Sequence, residues 1–489
     1  MIYKFYGPPG TGKTYRLISR AKAYVRMGTP LDKIGYFAFT KKAAEEARNR
    51  MPAENKKLKY FQTLHSFGYK TLGLDDSRVL QPEHYQTFGK RIGVRVKYTD
   101  RINKQEIPYL RSDNPYFKLI QKAENKLIEP VSEYNTGEYD QKVIKKRMLN
   151  YIYKNMKKYK ETYELYDFND MIRMLTKSNK IPQFKVIFID EAQDLSPLQW
   201  KLFDKLKEHT EDMYLAGDDD QAIYAWAGAD VKRFIQEPAI EKTLKFSKRI
   251  SEVIQSESKV PISRIKGIRK KKEYLPRNYK GKSQYISNLS QVNLLKDRWL
   301  ILTRTQQTAA NIMTELKNKN LYYMFKTDKS YQVKLYKKIK NYLRWCDGEQ
   351  IEDKETKDIL KLTSENQLVK KQWYKFFDKA PIKEKTYILK LMEQGEDLDA
   401  DARIRVSTIH SIKGGEEDNV ILFMHQGSKI QKSIKRSIEK QDEEHRVWYV
   451  AITRARNNLY KLKTNNKLTE YPIWQTKVYL KTHFHKTSR

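Results

Sequence analysis

The sequence predicts an α/β protein with parallel sheets, and three segments lead to this fold class. MIYKFY (1–6) alternates apolar and polar residues as a short strand does, and it runs directly into the glycine-rich segment GPPGTGKT (7–14). TYRLISRAKAYV (14–25) continues it with helical spacing. VIFI (186–189) is a continuous apolar run, which is typical of a parallel strand buried on both faces.

The segment from Gly7 to Thr14 has the spacing Gly-x-x-x-x-Gly-Lys-Thr of a phosphate-binding loop between a strand and a helix. Glycines let backbone N–H groups approach phosphate oxygens, and the helix N-terminus adds a partial positive charge. Lys13 is expected to reach the β- and γ-phosphates, and the Thr14 hydroxyl to bind Mg²⁺. The alternative is a glycine-rich turn without a ligand. The predicted nucleotide contacts of this loop are Gly7, Gly10, Thr11, Gly12, Lys13 and Thr14.

Two acidic residues follow the apolar run in KVIFIDEAQDLS (185–196). The carboxyl ends of parallel strands are where open α/β sheets bind ligands. We expect Asp190 to hold Mg²⁺ and Glu191 to orient or deprotonate the water that attacks a γ-phosphate. A helix cap is the alternative for such an acidic pair. Together with the phosphate loop, the pair predicts a nucleoside triphosphatase of unspecified kind.

Composition points to a polyanionic partner. The chain has 489 residues, 39% of them apolar, and a formal net charge of +37. Such a charge favours binding to phosphates, with a solvated lysine-rich surface as the alternative. The single cysteine, Cys346, excludes an intramolecular disulfide and a cysteine-based zinc site. No apolar run is long enough to span a bilayer, and we expect a soluble, intracellular, cytoplasmic protein without a membrane partner.

The segment GDDDQAIYAWAGAD (217–230) places a glutamine and two aromatic residues after another apolar strand, YLA (214–216). It resembles motif III of superfamily 1 DNA helicases of the UvrD/Rep/PcrA type. The resemblance implies that Gln221 senses the γ-phosphate and that Tyr224 and Trp226 stack on bases of single-stranded DNA. Such stacking contributes about 1–3 kcal/mol per base and is independent of sequence. Packing in the core is the alternative for both rings.

Two further segments of the first half resemble motifs of the same family. YFAFTKKAAEEARNRM (36–51) resembles motif Ia, which implies that Phe39 contacts a base and Thr40 a phosphate. FQTLHSF (61–67) resembles motif Ib, which implies that Thr63, His65 and Ser66 lie near the DNA backbone. A structural role is the alternative for the lone histidine.

Three segments of the second half resemble motifs IV, V and VI. SKRISEVI (247–254) implies that Arg249 reaches the γ-phosphate, and EHRVWYVAITRARNNLY (444–460) implies the same for Arg454. VSTIHSIKGGEEDNVILF (406–423) resembles motif V. Its implied roles are DNA-backbone contacts for Thr408, His410 and Ser411 and an approach of Glu416 to the nucleotide sugar.

Several positions differ from the family pattern. Lys248 replaces the aromatic residue that often stacks on adenine, and Ala227 replaces the usual arginine after the motif III tryptophan. Gly415 stands where leucine is common. The chain also opens on the phosphate-loop strand, and no upstream glutamine is expected to read the base. We therefore expect ATP as the substrate, with other nucleoside triphosphates as an alternative.

The resemblance implies two RecA-like (P-loop NTPase) parallel-sheet cores, each with an inserted, mainly helical subdomain. The first core is expected at 1–70 and 165–245 with an insertion at 71–164. The second is expected at 246–335 and 401–470 with a small insertion at 336–400, followed by a basic tail at 471–489. The basic segment RIKGIRKKK (264–272) is expected to be a solvated helix or loop, with a DNA-contacting face as the alternative.

The resemblance further implies an ATP- and Mg²⁺-dependent DNA helicase. ATP is expected between the cores, held by lysine, threonine and acids from the first and by Arg249 and Arg454 from the second. Its partners would be single-stranded and duplex DNA, its polarity 3′→5′, and its state a monomer; protein partners are not indicated. Two alternatives stay open: a DNA-stimulated ATPase that translocates without unwinding, and a slowly cycling switch that binds RNA or DNA.

Overall fold

The computed structural model of the chain describes residues 1–52, 58–96, 114–325, 328–412, 414–464 and 466–472. The predicted basic tail therefore lies almost wholly outside the described residues. Contacts divide the chain into two units. The first takes 1–279 and 432–450, and the second takes 280–431 and the chain from 451 onward.

The first unit contains a six-stranded sheet in which every neighbouring pair is parallel. Its strands lie in the order β3-β2-β4-β5-β1-β6. Their bounds are β1 Ile2–Tyr6, β2 Ile34–Phe37, β3 Phe61–Gln62, β4 Phe184–Ile189, β5 Thr210–Gly217 and β6 Ile240–Thr243. The strands predicted from MIYKFY, VIFI and YLA are thereby confirmed as β1, part of β4 and part of β5.

Strand β4 shows why its sequence is apolar at consecutive positions. Val186 and Phe188 belong to the core cluster on one face of the sheet, and Ile187 and Ile189 belong to the cluster on the other. Successive side chains of a strand point to opposite faces, so a strand covered on both sides needs apolar residues at every position. Helices on the two faces provide that cover.

Among the described residues up to 262, the first unit has eleven helices. They are α1 Lys13–Arg26, α2 Lys41–Asn49, α3 Leu64–Leu72, α4 Pro82–Arg91, α5 Pro115–Asn125, α6 Pro130–Tyr134, α7 Lys146–Thr162, α8 Phe168–Lys177, α9 Pro197–Glu208, α10 Val231–Gln236 and α11 Glu252–Ile262. Helices α4 to α7 fall in the predicted insertion and share a separate apolar cluster built around Phe88, Phe117 and Leu149. The predicted helical character of this insertion is confirmed for its described part.

The second unit contains a seven-stranded sheet in the order β10-β9-β11-β8-β12-β13-β7, in which only the β10–β9 pair is antiparallel among the described strands. The strands are β7 Lys282–Ile286, β8 Trp299–Thr303, β9 Tyr323–Phe325, β10 Asp328–Lys329, β11 Ile404–Thr408, β12 Glu417–Phe423 and β13 Ala455–Leu462. A mostly parallel sheet confirms the predicted α/β class, and the two sheets are consistent with two RecA-like cores.

The remaining helices are α12 Gln306–Asn318, α13 Val333–Cys346, α14 Asp353–Leu360, α15 Trp373–Phe376, α16 Ile382–Glu393, α17 Ser428–Ile434 and α18 Ile438–Ile452. Helices α13 to α16 coincide with the predicted small insertion and bury an aromatic cluster that includes Tyr342, Phe376 and Phe377. None of the helices among the described residues has the length and apolar character that crossing a bilayer requires.

Candidate functional site

Strands β4, β5 and β1 are consecutive neighbours in the first sheet, and this order decides where the site forms. Tyr6, the last residue of β1, lies opposite Gly217, the last residue of β5, and Ile189 ends β4 beside Leu215. All three strands are parallel, so the residues that follow them meet at one edge. The phosphate loop, the acidic pair and the 217–230 segment are therefore brought together.

The loop between β1 and α1 requires glycine at three positions. Gly10 and Gly12 have φ values of 72° and 84°, in the left-handed region where a side chain is strained. A Cβ atom at Gly7 would lie 2.0 Å from Cγ of Lys13. Lys13 folds back over the loop, where its Nζ donates to the Gly7 carbonyl at 3.1 Å, and the Thr11 hydroxyl donates to the Pro8 carbonyl at 2.8 Å.

The acidic pair contacts this loop directly. The Thr14 hydroxyl donates to Oδ2 of Asp190 at 2.6 Å, and Lys13 Nζ lies 3.7 Å from Oε1 of Glu191. Tyr36 donates its hydroxyl to the same Asp190 oxygen at 3.0 Å. Thr14 and Asp190 thus offer two adjacent oxygen ligands of the kind Mg²⁺ prefers. No group of three or more His, Cys, Asp or Glu side chains in the described part of the chain is arranged as a metal site on its own.

Burial perturbs the carboxyl group of Asp190. Desolvation raises its pKa, and the neighbouring Glu191 carboxylate adds to the rise, while the hydrogen bond from Thr14 and the charge of Lys13 oppose it. A cation placed between these oxygens and a polyphosphate would favour the ionised form. The site is thus electrostatically suited to a bound cation.

Glu191 is held in an uncommon backbone conformation. Its φ of 56° lies in the left-handed region, and its N–H donates to Oδ1 of Asp190 at 3.0 Å. Oε2 of Glu191 accepts a hydrogen bond from Nε2 of Gln193 at 2.6 Å. Gln193 is absent from the predicted site, although it lies within the DEAQD sequence two residues from Glu191.

Gln221 lies in a short 3-10 turn that follows β5. Its Nε2 donates to Oδ2 of Asp218 at 2.6 Å. The three aspartates 218–220 are buried and surround Nζ of Lys272. The expectation that 264–272 is a solvated segment is therefore wrong at its end, because the Lys272 side chain is only 1% exposed. The aspartates require a buried cation, and no local pattern in the basic run distinguishes the lysine that supplies it.

The segment around Arg249 packs on the phosphate loop. Ser247 donates its hydroxyl to the Pro9 carbonyl at 2.7 Å, and the Lys248 N–H donates to the Gly10 carbonyl at 2.9 Å. A Cβ atom on Gly10 would lie 2.2 Å from Cβ of Arg249. Residues 246–279 belong to the first unit, whereas we expected them to begin the second core. These hydrogen bonds to the loop are the physical reason for that difference.

Lys248 occupies the position where the family often has an aromatic residue. Its Nζ lies 5.7 Å from the centre of the Tyr15 ring, and that ring is exposed on the first turn of α1. A cation and an aromatic ring are thus paired beside the loop, with the ring on the helix.

The three aromatic residues predicted to contact bases differ in exposure. Tyr224 is only 3% exposed, and its ring stacks on Phe39 with centroids 5.0 Å apart. Phe39 is also buried. Trp226 is 48% exposed, and its ring centre lies 6.2 Å from that of Tyr224. The arrangement presents the tryptophan to solvent, while contact of the other two rings with DNA stays a prediction.

The polar residues of the Ia-like and Ib-like segments cap helices. The Thr40 hydroxyl accepts from the Ala43 N–H at the start of α2, and the Thr63 hydroxyl accepts from the Ser66 N–H at the start of α3. His65 is buried against the Phe168 ring, and desolvation lowers its pKa to about 4. A neutral, buried imidazole fits the structural alternative for this residue, and its predicted contact with DNA has no direct support.

In the second unit, the predicted DNA contacts repeat that geometry. Thr408 donates its hydroxyl to that of Ser411 at 2.9 Å, and the Ser411 N–H donates back to the Thr408 hydroxyl at 3.3 Å. His410 lies between them in sequence and is partly exposed. The arrangement matches that of Thr63 and Ser66, whose hydroxyls lie 3.1 Å apart. Two units of the chain thus carry the same Thr-x-His-Ser turn.

The remaining predicted residues of the second unit, Glu416 and Arg454, immediately precede β12 and β13. Arg454 is buried, and its Nη1 donates to the Gly415 carbonyl at 3.2 Å. Glu416 accepts from Nε and Nη2 of Arg456 at 2.9 and 2.8 Å. The roles predicted for Arg454 and Glu416 at the nucleotide stay predictions.

Comparison with known proteins finds similarity in the first half of the chain. Residues 4–239 match the model of the UvrD/REP helicase N-terminal domain. "Probable DNA helicase" of Mycoplasma pneumoniae is 29% identical over 251 residues, which are 47% of this chain and 46% of the relative. "ATP-dependent DNA helicase PcrA" of Bacillus subtilis is 26% identical over 242 residues, which are 46% of this chain and 32% of the relative.

"ATP-dependent DNA helicase Rep" of Buchnera aphidicola is 24% identical over 239 residues, which are 46% of this chain and 34% of the relative. The matched region spans less than half the length of each of these relatives.

Proposed function

We propose that the protein is an ATP-dependent DNA helicase, because residues 4–239 match the model of the UvrD/REP helicase N-terminal domain and relatives of this region are named ATP-dependent DNA helicases. It translocates on single-stranded DNA in the 3′→5′ direction and unwinds duplex DNA. The observation that carries the proposal is the meeting of Lys13, Thr14, Asp190 and Glu191 at one sheet edge. A monomeric state and a cytoplasmic location remain predictions.

In the proposed reaction, Glu191 accepts a proton from the water that attacks the γ-phosphate. Oε1 of Glu191 lies 3.7 Å from Nζ of Lys13, so both groups are near enough to act on one bound phosphate. Thr14 and Asp190 would hold Mg²⁺, which neutralises charge on the β- and γ-phosphates when bound. Gln221 and Arg249 are proposed to contact the γ-phosphate.

Support for DNA as the partner comes from three sources. Relatives that match the first half are named DNA helicases. Trp226 exposes a large ring in the segment that also contains Gln221. The formal net charge of +37 favours a polyphosphate. We propose that single-stranded DNA stacks on Trp226, and that Phe39, Thr40, Thr63, Ser66, Thr408, His410 and Ser411 remain candidates for further contacts.

The proposal is tested first at the catalytic carboxylate. Glu191→Gln keeps the size of the side chain but removes the base, so DNA-stimulated hydrolysis should fall by at least about a hundredfold while nucleotide binding persists. Glu208→Gln, at the exposed end of α9, is the matched control and should retain activity. Hydrolysis that persists in Glu191→Gln at the rate of the control would remove Glu191 from the mechanism.

Strand displacement on 3′-tailed and 5′-tailed duplexes with ATP then tests the motor activity. Displacement of the 3′-tailed substrate alone is the expected result. DNA-stimulated hydrolysis without displacement would favour a translocase, the alternative suggested by the short four-helix insertion of the second unit. Hydrolysis without stimulation by DNA would favour a slowly cycling switch.

A further inference from the structure

Lys272 lies at the centre of a buried ion cluster next to the candidate site. Its Nζ is 2.9 Å from Oδ1 of Asp218, 2.9 Å from Oδ2 of Asp220, and in contact with Oδ1 of Asp219. All four side chains are at most 1% exposed. Arg269 adds a second cation to Asp220 through two hydrogen bonds of 2.6 and 3.0 Å.

Electrostatics explain why this lysine stays charged. Burial lowers the pKa of Lys272, but the three carboxylates outweigh it and hold the pKa well above its usual value. Burial also raises the pKa of Asp219, and Lys272 opposes that rise. Without the ammonium group, three carboxylates would share one buried turn, and such like charges cannot all remain ionised.

A chain of hydrogen bonds joins this cluster to Glu191. Asp218 Oδ2 accepts from Nε2 of Gln221 at 2.6 Å, and the Asp218 N–H donates to Oε1 of Gln193 at 3.0 Å. Nε2 of Gln193 donates to Oε2 of Glu191 at 2.6 Å. We call this the Lys272–Glu191 chain: Lys272, Asp218, Gln193 and Glu191, with Gln221 attached at Asp218.

The orientation of the Gln193 amide follows from its hydrogen-bond partners, which also include Oδ2 of Asp194, to which Nε2 donates at 3.1 Å. A backbone N–H can only donate, so the amide oxygen must face Asp218 and the amide nitrogen must face Glu191. Gln193 is 0% exposed, so water does not compete for either end. The amide oxygen of Gln193 packs closely on the end of β5, since a Cβ atom at Gly217 would lie only 2.6 Å from it.

We propose that Lys272 and Gln193 are positioning residues for nucleotide hydrolysis, acting through Asp218 to set the places of Gln221 and Glu191. This inference rests on the proposed function, in which Glu191 activates water and Gln221 contacts the γ-phosphate. Lys272 holds the Asp218 carboxylate, which holds the Gln221 amide. Gln193 accepts a hydrogen bond from the Asp218 N–H and donates one to Glu191. It therefore fixes the Glu191 carboxylate relative to the end of β5.

A positioning role and a merely structural role predict different changes in kcat per folded molecule. Lys13 and the loop glycines are proposed to bind the nucleotide, and Lys13 meets the Lys272–Glu191 chain at Glu191. Loss of the chain should therefore lower kcat without weakening nucleotide affinity. A defect in folding alone would lower the active fraction and leave kcat per folded molecule unchanged.

Gln193→Glu is the sharpest variant. A carboxylate can still accept from the Asp218 N–H, but it cannot donate to Glu191 or Asp194 and repels both. We expect kcat for DNA-stimulated ATP hydrolysis to fall by about tenfold to a hundredfold, since a hydrogen bond to a charged group is lost. The dissociation constant for a non-hydrolysable ATP analogue should stay within about threefold of the parent value.

Lys272→Met removes the ammonium group, and Lys160→Met is its matched control. Lys160 is likewise buried, and it pairs with Asp167 and Asp170 outside the Lys272–Glu191 chain. Both variants should lose thermal stability, but only Lys272→Met should lose kcat per folded molecule. Should Lys272→Met fail to fold, Gln193→Glu decides the question.

Parent-like kcat in folded Gln193→Glu, or an equal loss of kcat in Lys160→Met, overturns the inference. The proposed function fails separately, if the parent protein itself shows no ATP hydrolysis stimulated by DNA.

Discussion

At the scale of single residues, burial separates two aromatic side chains that are close in sequence. Tyr224 is covered by Phe39 and contributes to the core, whereas Trp226, two positions later, presents about half of its surface to solvent. The same segment therefore combines a packing residue with a ring available to a planar ligand. This division has separate consequences for stability and for DNA binding.

Alanine substitutions should separate these two roles. Trp226→Ala should weaken binding of single-stranded DNA by about 1–3 kcal/mol, the usual contribution of one stacked base, with little change in thermal stability. Tyr224→Ala should lower the free energy of unfolding by about 3 kcal/mol or more, because it empties a packed aromatic site. Fluorescence anisotropy with a labelled oligonucleotide and thermal unfolding measure the two effects.

Tyr279→Ala serves as the control, since this residue is an aromatic side chain of similar exposure in the same unit. If Trp226→Ala and the control bind DNA equally well, Trp226 has no part in the DNA site.

At the scale of structural elements, the turn after β4 combines an unfavourable backbone conformation with a side chain proposed to act in hydrolysis. Glu191 adopts a left-handed conformation at the strand end, which is unfavourable for a residue with a side chain. The hydrogen bonds from its own N–H to Asp190 and from Gln193 to its carboxylate hold it there. Such strain is expected where a catalytic group must project from a particular point.

A comparison of two small substitutions measures this strain. Glu191→Gly and Glu191→Ala both remove the carboxylate, but only glycine adopts the left-handed conformation without cost. Glu191→Gly should therefore be more stable than Glu191→Ala by about 1 kcal/mol in urea unfolding, although neither should hydrolyse ATP. Equal stability of the two variants would show that the turn relaxes when the glutamate is absent.

The Thr-x-His-Ser turns form a second recurrent element. Thr63 with Ser66 and Thr408 with Ser411 make the same hydroxyl–hydroxyl and hydroxyl–N–H contacts after a strand of each sheet. The local sequence is sufficient to build the turn twice, because its hydrogen bonds join residues only three positions apart. Whether a histidine within it is buried, as His65 is, depends on the elements packed around each turn.

At the scale of the whole molecule, charge is the dominant property. With a formal net charge of +37, we expect the proposed binding to DNA to be driven largely by release of counterions from phosphates. Affinity for single-stranded DNA should therefore fall by at least about tenfold between about 50 and 200 mM salt, with the slope reporting the number of phosphates contacted. Titrations of one oligonucleotide across this range provide the measurement. If the affinity for single-stranded DNA does not change with salt, the excess lysines form a solvated surface and do not contact phosphates.

The sequence by itself determined the features that depend on local spacing. Gly7 to Thr14 predicted the loop between β1 and α1, and the uninterrupted run ending at Ile189 predicted a strand covered on both faces. These inferences hold because the relevant contacts involve neighbours in the chain or the alternation of one strand. The resemblance of GDDDQAIYAWAGAD to a helicase motif likewise agrees with the match of residues 4–239 to the model of the UvrD/REP helicase N-terminal domain.

Only the tertiary structure decided which side chains are buried and which distant segments meet. The run 264–272 contains several lysines and arginines, yet Lys272 alone among its lysines bonds all three aspartates 218–220. Nothing in the local pattern marks it, because its environment is supplied by residues about fifty positions earlier. The same holds for Arg249, which lies against Gly10 of the phosphate loop although the two are far apart in sequence. Burial and pairing between distant residues depend on the folded arrangement, so the periodicity of the sequence does not predict them.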